Sequence, residues 1–274
     1  MKYFILTILL LGTTLMSHSI GKEDAFHRTI GVSAQMELFS KSVWHGWDLS
    51  DNKPAYIPYM AIDLFQTGFE LAYWASIPTD QNLKVNEIAE FYLKYHDTKM
   101  EGSPIQFNFH SFVDYIRASN NNEFPYSPFP NPDDPNGPWI QPFGMKQLWK
   151  LNLGVSLDKL IPLAGSFLVP AVDMFYITPA GDAFFTDGRI WEFSLNYSQP
   201  ISQKLNYGLK FNAIYHDKIF DVSAWGAYVF STSWRYAINN LLTFQAGINY
   251  QISPEAIINP ENEFWGQAGM AVSF

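Results

Sequence analysis

The sequence predicts an all-β fold, a transmembrane antiparallel up-and-down β-barrel of about 12 strands, from three observations. Apolar and polar residues alternate over about a dozen segments, as in strands with one face towards lipid and one towards the interior. Short connections alternate with longer ones, as tight turns at one end of a barrel alternate with loops at the other. Aromatic residues make up 17% of the 274 residues and charged residues 16%, a balance typical of strands with interfacial aromatic side chains.

The N-terminus has the composition of a secretory signal peptide. Lys2 precedes an apolar run from Phe4 to Gly12, and Ser17 and Ser19 supply the small residues of a cleavage site. The run is shorter than the roughly 20 apolar residues that a membrane-spanning helix needs. We therefore expect export and a location in the cell outer membrane. The expected parts are a signal peptide over 1–19, a short periplasmic segment over 20–28 and the barrel over 29–274.

Period-two alternation predicts the strands in chain order. In the stretch from Ile190 to Tyr197, for example, Glu192 and Ser194 alternate with apolar neighbours. Pro58 and Pro170 indicate bulges or disrupted pairing in two less regular segments. The predicted strands are 29–44, 55–66, 68–76, 87–97, 104–117, 145–157, 165–177, 189–199, 204–216, 220–238, 241–252 and 264–274.

The connections fall into two classes. Gln66–Gly68 reads as a tight turn, and Asn239-Asn240 tolerates the positive φ of a two-residue hairpin. We expect both turns at the periplasmic end, together with the two ends of the barrel. The expected external loops are 45–54, 77–86, 118–144, 178–188 and 253–263.

The last strand ends on an aromatic residue. Met270, Val272 and Phe274 share one face of this strand, which resembles the C-terminal assembly signal of bacterial outer-membrane barrels. An apolar row of this kind suits lipid, and a terminal aromatic suits the membrane–water interface. The expected partners are therefore outer-membrane lipid and the barrel-assembly machinery. An edge strand of a soluble β-sandwich is the alternative for this segment.

Composition and spacing argue against several other functions. The net charge of −9 disfavours nucleic acid as a partner, because phosphate binding needs a basic surface. The chain has no Cys, and its six His residues lack the spacing of metal ligands. His110 and Ser111 are adjacent and so point to opposite faces of a strand. We expect no enzyme activity, no catalytic residues, no metal and no cofactor.

If the apolar rows face lipid, the charged residues of the strands face inwards. These charged residues occupy alternate positions and so share one face of each strand. This supports the assignment, because a charge facing lipid costs a few kcal/mol near the midplane of the bilayer. The interior could be a wall braced by paired charges or a narrow polar conduit. The candidate lumen-lining residues are Glu70, Glu90, Lys94, Asp114, Lys150, Asp173, Glu192, Lys210 and Arg235.

The 118–144 loop is expected to fold over or into the external mouth. It holds seven prolines, which reduce the entropy lost when a long connection becomes ordered. It also holds large aromatic residues that favour contact over solvation. The alternative is a disordered, surface-exposed antigenic loop. The candidate mouth residues are Phe124, Tyr126, Phe129 and Trp139.

Two stretches carry a family resemblance. The stretch Val43 to Ala55, beginning Val-Trp-His-Gly-Trp, resembles the aromatic-Arg-Gly…Ser…Pro-Ala element of the TorF-type porins, with His45 where Arg is usual. The stretch Gly68 to Ser76 resembles the Gly-Phe…Trp-Ala-Ser element of that family, and an acidic, aromatic strand follows at 87–92. The resemblance covers about 43–95. It implies an outer-membrane barrel of porin type and assigns no binding residues.

Together these features predict an outer-membrane, porin-like channel for passive passage of small hydrophilic solutes. A non-conducting structural or surface-interaction barrel, acting through its outer loops, is the alternative. An outer-membrane hydrolase is the third possibility, because a cross-strand pairing of Ser and His is not visible in a sequence.

Overall fold

The structure is a computed structural model. It describes residues 30–48, 50, 52–64, 67–79, 87–99, 106–119, 147–179, 187–219, 222–255, 259 and 261–274. No helix long and apolar enough to cross a membrane occurs in these ranges.

Within these ranges the chain forms fifteen β-strands. Twelve of them form the wall of one barrel, β9 extends the hairpin between β8 and β10, and β2 pairs only with β3. The strands are β1 Val32–Phe39, β2 Val43–Trp44, β3 Trp47–Asp48, β4 Ala55–Asp63, β5 Phe69–Pro78, β6 Glu87–Lys99, β7 Gln106–Ser119, β8 Gln147–Asp158, β9 Ile161–Leu163, β10 Ser166–Pro179, β11 Gly188–Pro200, β12 Leu205–Ile219, β13 Val222–Ala237, β14 Leu242–Ile252 and β15 Glu263–Ser273.

The barrel is closed by pairing of its first and last strands. β1 lies antiparallel to β15 from Ser33 opposite Ser273 to Phe39 opposite Gln267, and its other edge pairs with β4. Every other wall strand pairs with its neighbours in the chain, so the wall has no free edge. The predicted antiparallel up-and-down barrel of about 12 strands is therefore confirmed.

The tight turns lie at the same end of the barrel as the start of β1 and the end of β15. Gly68 has φ +84°, a conformation that favours glycine, and the turn joins β4 to β5. The Asn239 side chain accepts hydrogen bonds from the backbone N–H groups of Leu241 and Leu242 between β13 and β14. Since Val32 pairs with both Ile62 and Phe274 at this end, the prediction that the two turns lie together is confirmed.

Pro170 marks a change of register, as predicted. β10 pairs with β9 up to Leu168 and with β8 from Ala171, and the two pairings are offset by two residues. Pro58 interrupts β4 less, because β1 pairs with β4 through it. The β4–β5 ladder resumes in the same register at Tyr59.

The two faces of the wall differ in chemistry. Leu71, Leu93, Leu153 and Phe230 lie on the outer face and are 46–50% exposed. Polar side chains occupy the alternate, inward positions, as in Glu192 and Ser194 of β11. Successive side chains of each strand point to opposite faces of the wall, and the strand register aligns the like faces of neighbouring strands. The alternation in sequence thus gives the barrel an apolar exterior and a polar interior.

Two predicted boundaries near the N-terminus are wrong. The first strand was expected to run to residue 44, but β1 ends at Phe39. The following stretch was expected to be an external loop over 45–54, yet it folds back into the barrel. We call residues 40–54 the inserted segment; residues 49 and 51 lie outside the described part of the chain.

Candidate functional site: the barrel interior and the inserted segment

The inserted segment is a small hairpin with a tight two-residue turn. β2 and β3 pair through Val43 opposite Asp48 and Trp44 opposite Trp47. His45 and Gly46, between them, have φ of 48° and 99°. Positive φ at both central residues is typical of a type I′ turn, which favours glycine at the second position and tolerates histidine better than most residues at the first.

Side chains within the segment stabilise this hairpin. The Asp48 carboxylate accepts hydrogen bonds from the backbone N–H groups of Ser50 and Asn52, at 2.9 and 2.7 Å. The Ser42 N–H donates to the Ser50 hydroxyl oxygen at 2.8 Å. Burial raises the pKa of the Asp48 carboxyl, and these backbone hydrogen bonds oppose the rise. Several backbone N–H groups of the segment are therefore hydrogen-bonded within the segment itself and need no partner from the wall.

The two backbone carbonyl groups of the turn form hydrogen bonds with side chains from the rest of the barrel. The His216 Nε2 atom lies 3.0 Å from the carbonyl oxygen of His45. The amides of Gln251 and Asn259 both donate to the carbonyl oxygen of Gly46, at 2.8 and 3.1 Å. A backbone turn that approaches a wall this closely needs small residues opposite it, and a Cβ on Gly46 would lie 3.4 Å from Ala227 Cβ.

The His45 side chain forms a buried pair with the wall. Its Nδ1 atom lies 2.5 Å from Glu192 Oε1, and the Asn212 amide donates to Glu192 Oε2 at 3.0 Å. The imidazole also packs edge-on against Phe175, with ring centroids 4.7 Å apart. The pair is mostly shielded from solvent, since the two side chains are 9% and 15% exposed.

Further contacts hold the two ends of the segment. Lys41 forms an ion pair with Glu263 of β15 and donates to the Asn52 side chain. The hydroxyl of Ser76, on β5, donates to that of Ser42 at 2.8 Å. With the contacts above and those of Trp44, the inserted segment touches eight of the twelve wall strands, namely β5, β8 and β10 to β15.

Trp44 packs over a buried charge cluster. The Lys150 ammonium lies 3.2 Å from Glu90 Oε2 and 3.0 Å from Asp114 Oδ2, and all three residues are at most 3% exposed. The Trp44 ring centroid is 5.3 Å from the same ammonium. Rings of Tyr92, Phe112 and Phe175 lie 5.6–5.8 Å from it. The ammonium is thus held by two carboxylates and four aromatic rings.

An apolar core surrounds the two tryptophans of the hairpin. Trp44 and Trp47 pack against a cluster of buried inward residues, and Trp47 contacts the His216 ring edge-on at 4.5 Å. The buried cluster comprises Ile88, Leu148, Phe175, Ile177, Ile190, Ile214, Ile219 and Ala227. At the level of the inserted segment the interior therefore contains buried apolar as well as polar side chains, and the simple polar-inward pattern does not extend there.

Two polar networks lie nearer the end with the chain termini. Lys94 is 3.1 Å from Glu70, and the Tyr59 hydroxyl donates to Glu70 at 2.9 Å. His110 on β7 reaches across β8 to Asp173 on β10, with 2.5 Å between Nε2 and Oδ1.

Gly154 makes room for the second network. It is the β8 residue between His110 and Asp173, and a Cβ there would overlap both side chains. The Asn152 amide adds a hydrogen bond to Asp173 at 3.1 Å.

The remaining predicted interior residues differ in their surroundings. Lys210 on β12 and Arg235 on β13 are exposed and occupy inward positions, because Lys210 pairs with Ser231 and Arg235 with Asn206. Met270, Val272 and Phe274 lie on the opposite, outer face. The predicted mouth residues Phe124, Tyr126, Phe129 and Trp139 lie outside the described residues, as do most of the 118–144 loop and the N-terminal 29 residues.

Apart from Glu192 and Lys150, which were predicted to line the lumen, the sequence did not identify the residues that hold the inserted segment. Trp44, Trp47, His216 and Gln251 form this contact, together with His45, which the sequence marked only as a departure from a family pattern. The sole local signal is the His45-Gly46 pair at a turn between two tryptophans. No group of three or more His, Cys, Asp or Glu side chains is placed to hold a metal ion in the part of the chain that the structure covers.

The fold and its interior define the class: a twelve-stranded up-and-down barrel with a segment folded into it. Its fold is similar to that of the NanC porin, at 9% identity over 89% of this chain and 99% of that one, with a TM-score of 0.49. The fold is also similar to that of an outer membrane channel from Pseudomonas putida F1, at 11% identity over 92% of this chain and 100% of that one, with a TM-score of 0.44. A third similar structure is the translocator domain of autotransporter NalP from Neisseria meningitidis. Its sequence is 11% identical over 100% of this chain and 98% of that one, and the TM-score is 0.42.

These likenesses do not extend to any site or activity. No family model matches the chain, and no curated protein matches it. The resemblance of residues 43–95 to the TorF-type porins therefore stays a prediction.

Proposed function

We propose that the protein is an outer-membrane channel for passive passage of small hydrophilic solutes, with the inserted segment as its constriction. The observation that carries this proposal is the contrast between the two faces of one closed wall. Large apolar side chains cover the outside. Charged and amide side chains occupy the inside between the inserted segment and the end of the barrel that holds the chain termini.

The outer face supports a position in lipid. Exposed apolar side chains recur on every wall strand, from Met36 and Leu38 on β1 to Phe264 and Met270 on β15. In water, an apolar surface this extensive would drive aggregation. In a bilayer, the closed barrel satisfies its own backbone hydrogen bonds. Outer-membrane lipid and the barrel-assembly machinery are accordingly the proposed partners, reached by export through the proposed signal peptide.

The interior supports hydrophilic cargo. Glu70, Lys94 and Asp173 supply charges of both signs with partial access to solvent. Together with Lys210 and Arg235, these residues are the proposed lumen lining. Glu90, Asp114 and Lys150 are buried beneath the inserted segment and become part of the lining only if that segment moves.

The same contacts favour a second candidate, a non-conducting barrel. Eight wall strands touch the inserted segment, and three side chains bind its two turn carbonyls. A segment held this firmly could close the interior permanently. Deciding between the two candidates requires a transport measurement.

Proteoliposome swelling tests the proposed function. Liposomes with the refolded protein should swell in arabinose faster than in the larger raffinose, and both should exceed empty liposomes. A barrel that is folded, as judged by heat-modifiable electrophoretic mobility, but gives no swelling above the empty control would contradict the channel and support the second candidate.

Single cysteines test the two faces independently, because the native chain has none. Lys210→Cys and Leu209→Cys are matched, since both native side chains are exposed and adjacent but face opposite sides. A hydrophilic maleimide should label Cys at 210 in proteoliposomes and leave Cys at 209 largely unlabelled. Equal labelling would contradict the assignment of the outer face to lipid.

A further inference from the structure

The interior cations fall into two groups. Lys41, Lys94 and Lys150 each form an ion pair with a carboxylate of the chain. Lys210 and Arg235 are exposed and form neither an ion pair nor a hydrogen bond with any described residue. Glu192 interacts electrostatically with Lys210, and Glu37 with Arg235, without forming an ion pair.

Those two carboxylates already have partners. Glu192 is bound by His45 and Asn212. Glu37 is 6% exposed and accepts a hydrogen bond from Gln35 at 2.6 Å. Both carboxylates are engaged in these contacts and act on the two cations electrostatically, without a direct ion pair. The β12–β13 wall therefore presents two exposed cations that form no direct ion pair with a described carboxylate.

The surroundings of these cations are rich in hydrogen-bonding groups. Lys210 lies between Asn196 and Ser231 on the neighbouring strands, and Arg235 lies between Asn206 and Gln245. At the inward positions of Gly208 and Gly247, on β12 and β14, the neighbouring side chains of Ser233 and Gln267 lie close to the backbone.

Lys210 and Arg235 can reach one small molecule together. The register places Lys210 opposite Ser231, four residues from Arg235 along β13, which is about 13 Å at roughly 3.3 Å per residue. Two long, flexible side chains can close most of that gap. Lys210 also lies six residues before His216 on β12, about 20 Å along the strand by the same rise, so its backbone position is distant from the point where His216 contacts the turn of the inserted segment.

The opposite wall is electrically balanced. β5 and β6 lie six strands from β12 and β13 in the barrel order. There Glu70 and Lys94 neutralise each other at 3.1 Å. An anion in the lumen would thus meet two cations without a direct carboxylate partner on one side and an ion-paired lysine on the other.

We infer that Lys210 and Arg235 form a binding site for small hydrophilic anions that carry a carboxylate, on the wall of the proposed channel. The guanidinium of Arg235 offers a planar, two-point contact to a carboxylate. Lys210 supplies a second positive charge, and the neighbouring amide and hydroxyl groups suit the polar remainder of the solute. This site deepens the proposed function by naming its substrate class, and it rests on that function only for transport.

Equilibrium titration of the detergent-solubilised barrel tests the site without requiring conduction. The probe is gluconate, and sorbitol is the uncharged control of similar size. Gluconate should bind and sorbitol should not. In Lys210→Gln/Arg235→Gln, gluconate affinity should fall at least tenfold. The matched control Lys204→Gln/Lys218→Gln removes two exposed lysines outside the barrel wall's interior face and should bind gluconate as the unmodified protein does.

A second measurement links the site to transport. In planar bilayers under a KCl gradient, the unmodified channel should prefer chloride, and Lys210→Gln/Arg235→Gln should lower that preference at least threefold. Absence of gluconate binding to the folded protein, or equal binding by the double variant, would overturn the site. A folded barrel that binds gluconate but never conducts would instead overturn the proposed function and leave the site in place.

Discussion

Replacing His45 with asparagine should release the inserted segment from the wall. Asparagine tolerates the positive φ of this turn position, so the hairpin should still form. Its side chain is too short to keep the 2.5 Å contact that the imidazole makes with Glu192. Glu192 would then remain buried, with Asn212 as its remaining hydrogen-bond partner among the described residues.

The size of the effect follows from burial. Losing a hydrogen bond to a buried carboxylate costs about 1.5–3 kcal/mol. Withdrawal of the segment lets water reach Glu192 and relieves that cost. At about 1.4 kcal/mol for each tenfold change, the equilibrium between the inserted and withdrawn states should shift towards withdrawal by roughly tenfold or more relative to the unmodified protein.

Single-channel recording measures this shift directly. The fraction of time spent open should rise strongly in His45→Asn. Adding Glu192→Gln should reverse much of the rise, because a neutral amide is less costly to bury. Arg189→Gln is the matched control: it breaks an exposed pair with Asp217, worth about 0–1 kcal/mol, and should change little. An unchanged open fraction in a correctly folded His45→Asn barrel would refute the proposed role of this pair.

Three further predictions concern assembly, the buried cluster and the long loop. Deleting Phe274 should lower membrane levels of the protein several-fold, since its backbone pairs with Val32 across the closing seam; normal levels would argue against this. Lys150→Met should destabilise the barrel to urea by about 3–5 kcal/mol, because it strands two buried carboxylates. The triple variant that also carries Glu90→Gln and Asp114→Asn should recover most of that loss, and failure to recover would contradict the account. Removing 121–138 should raise single-channel conductance if that loop narrows the mouth, whereas unchanged conductance with free protease cleavage of the intact loop would make it a tether.

Two controls accompany these predictions. Deleting Asn121, in an expected external loop, should leave membrane levels close to normal and so separates the effect of Phe274 from that of any shortened chain. Asn152→Ala removes a buried amide that binds Asp173 without removing a charge. It should therefore destabilise the barrel less than Lys150→Met does.

The barrel wall could be predicted from sequence because each strand carries its own signal. A strand that separates lipid from a polar interior must alternate with period two, so local inspection of residues such as Glu192, Phe193 and Ser194 is sufficient. Turn chemistry at Asn239-Asn240 then sets the direction of the chain. Closure follows from the need to pair both edges, Val32–Phe39 with Glu263–Ser273.

The inserted segment could not be predicted in the same way. Val43 and Trp44 favour extended backbone and continue the alternation of β1, so the pattern extended that strand to residue 44. The turn at His45-Gly46 lacks the Asn-Gly or Asp-Gly pair that usually marks a type I′ turn. Its partners, His216 and Gln251, are about 170 and 205 residues away in the chain. Contacts at that separation leave no local pattern in a single sequence.

The most direct test of the account compares the conductance of the unmodified barrel with that of a variant lacking the tip of the inserted segment. Val43 and Asp48 are paired, so two glycines can replace the four residues Trp44 to Trp47 between them. In planar bilayers, the account predicts small or infrequent steps from the unmodified protein and larger, sustained steps from the variant. Two folded barrels that both remain silent would contradict a channel through the interior, and equal conductance would contradict the inserted segment as its constriction.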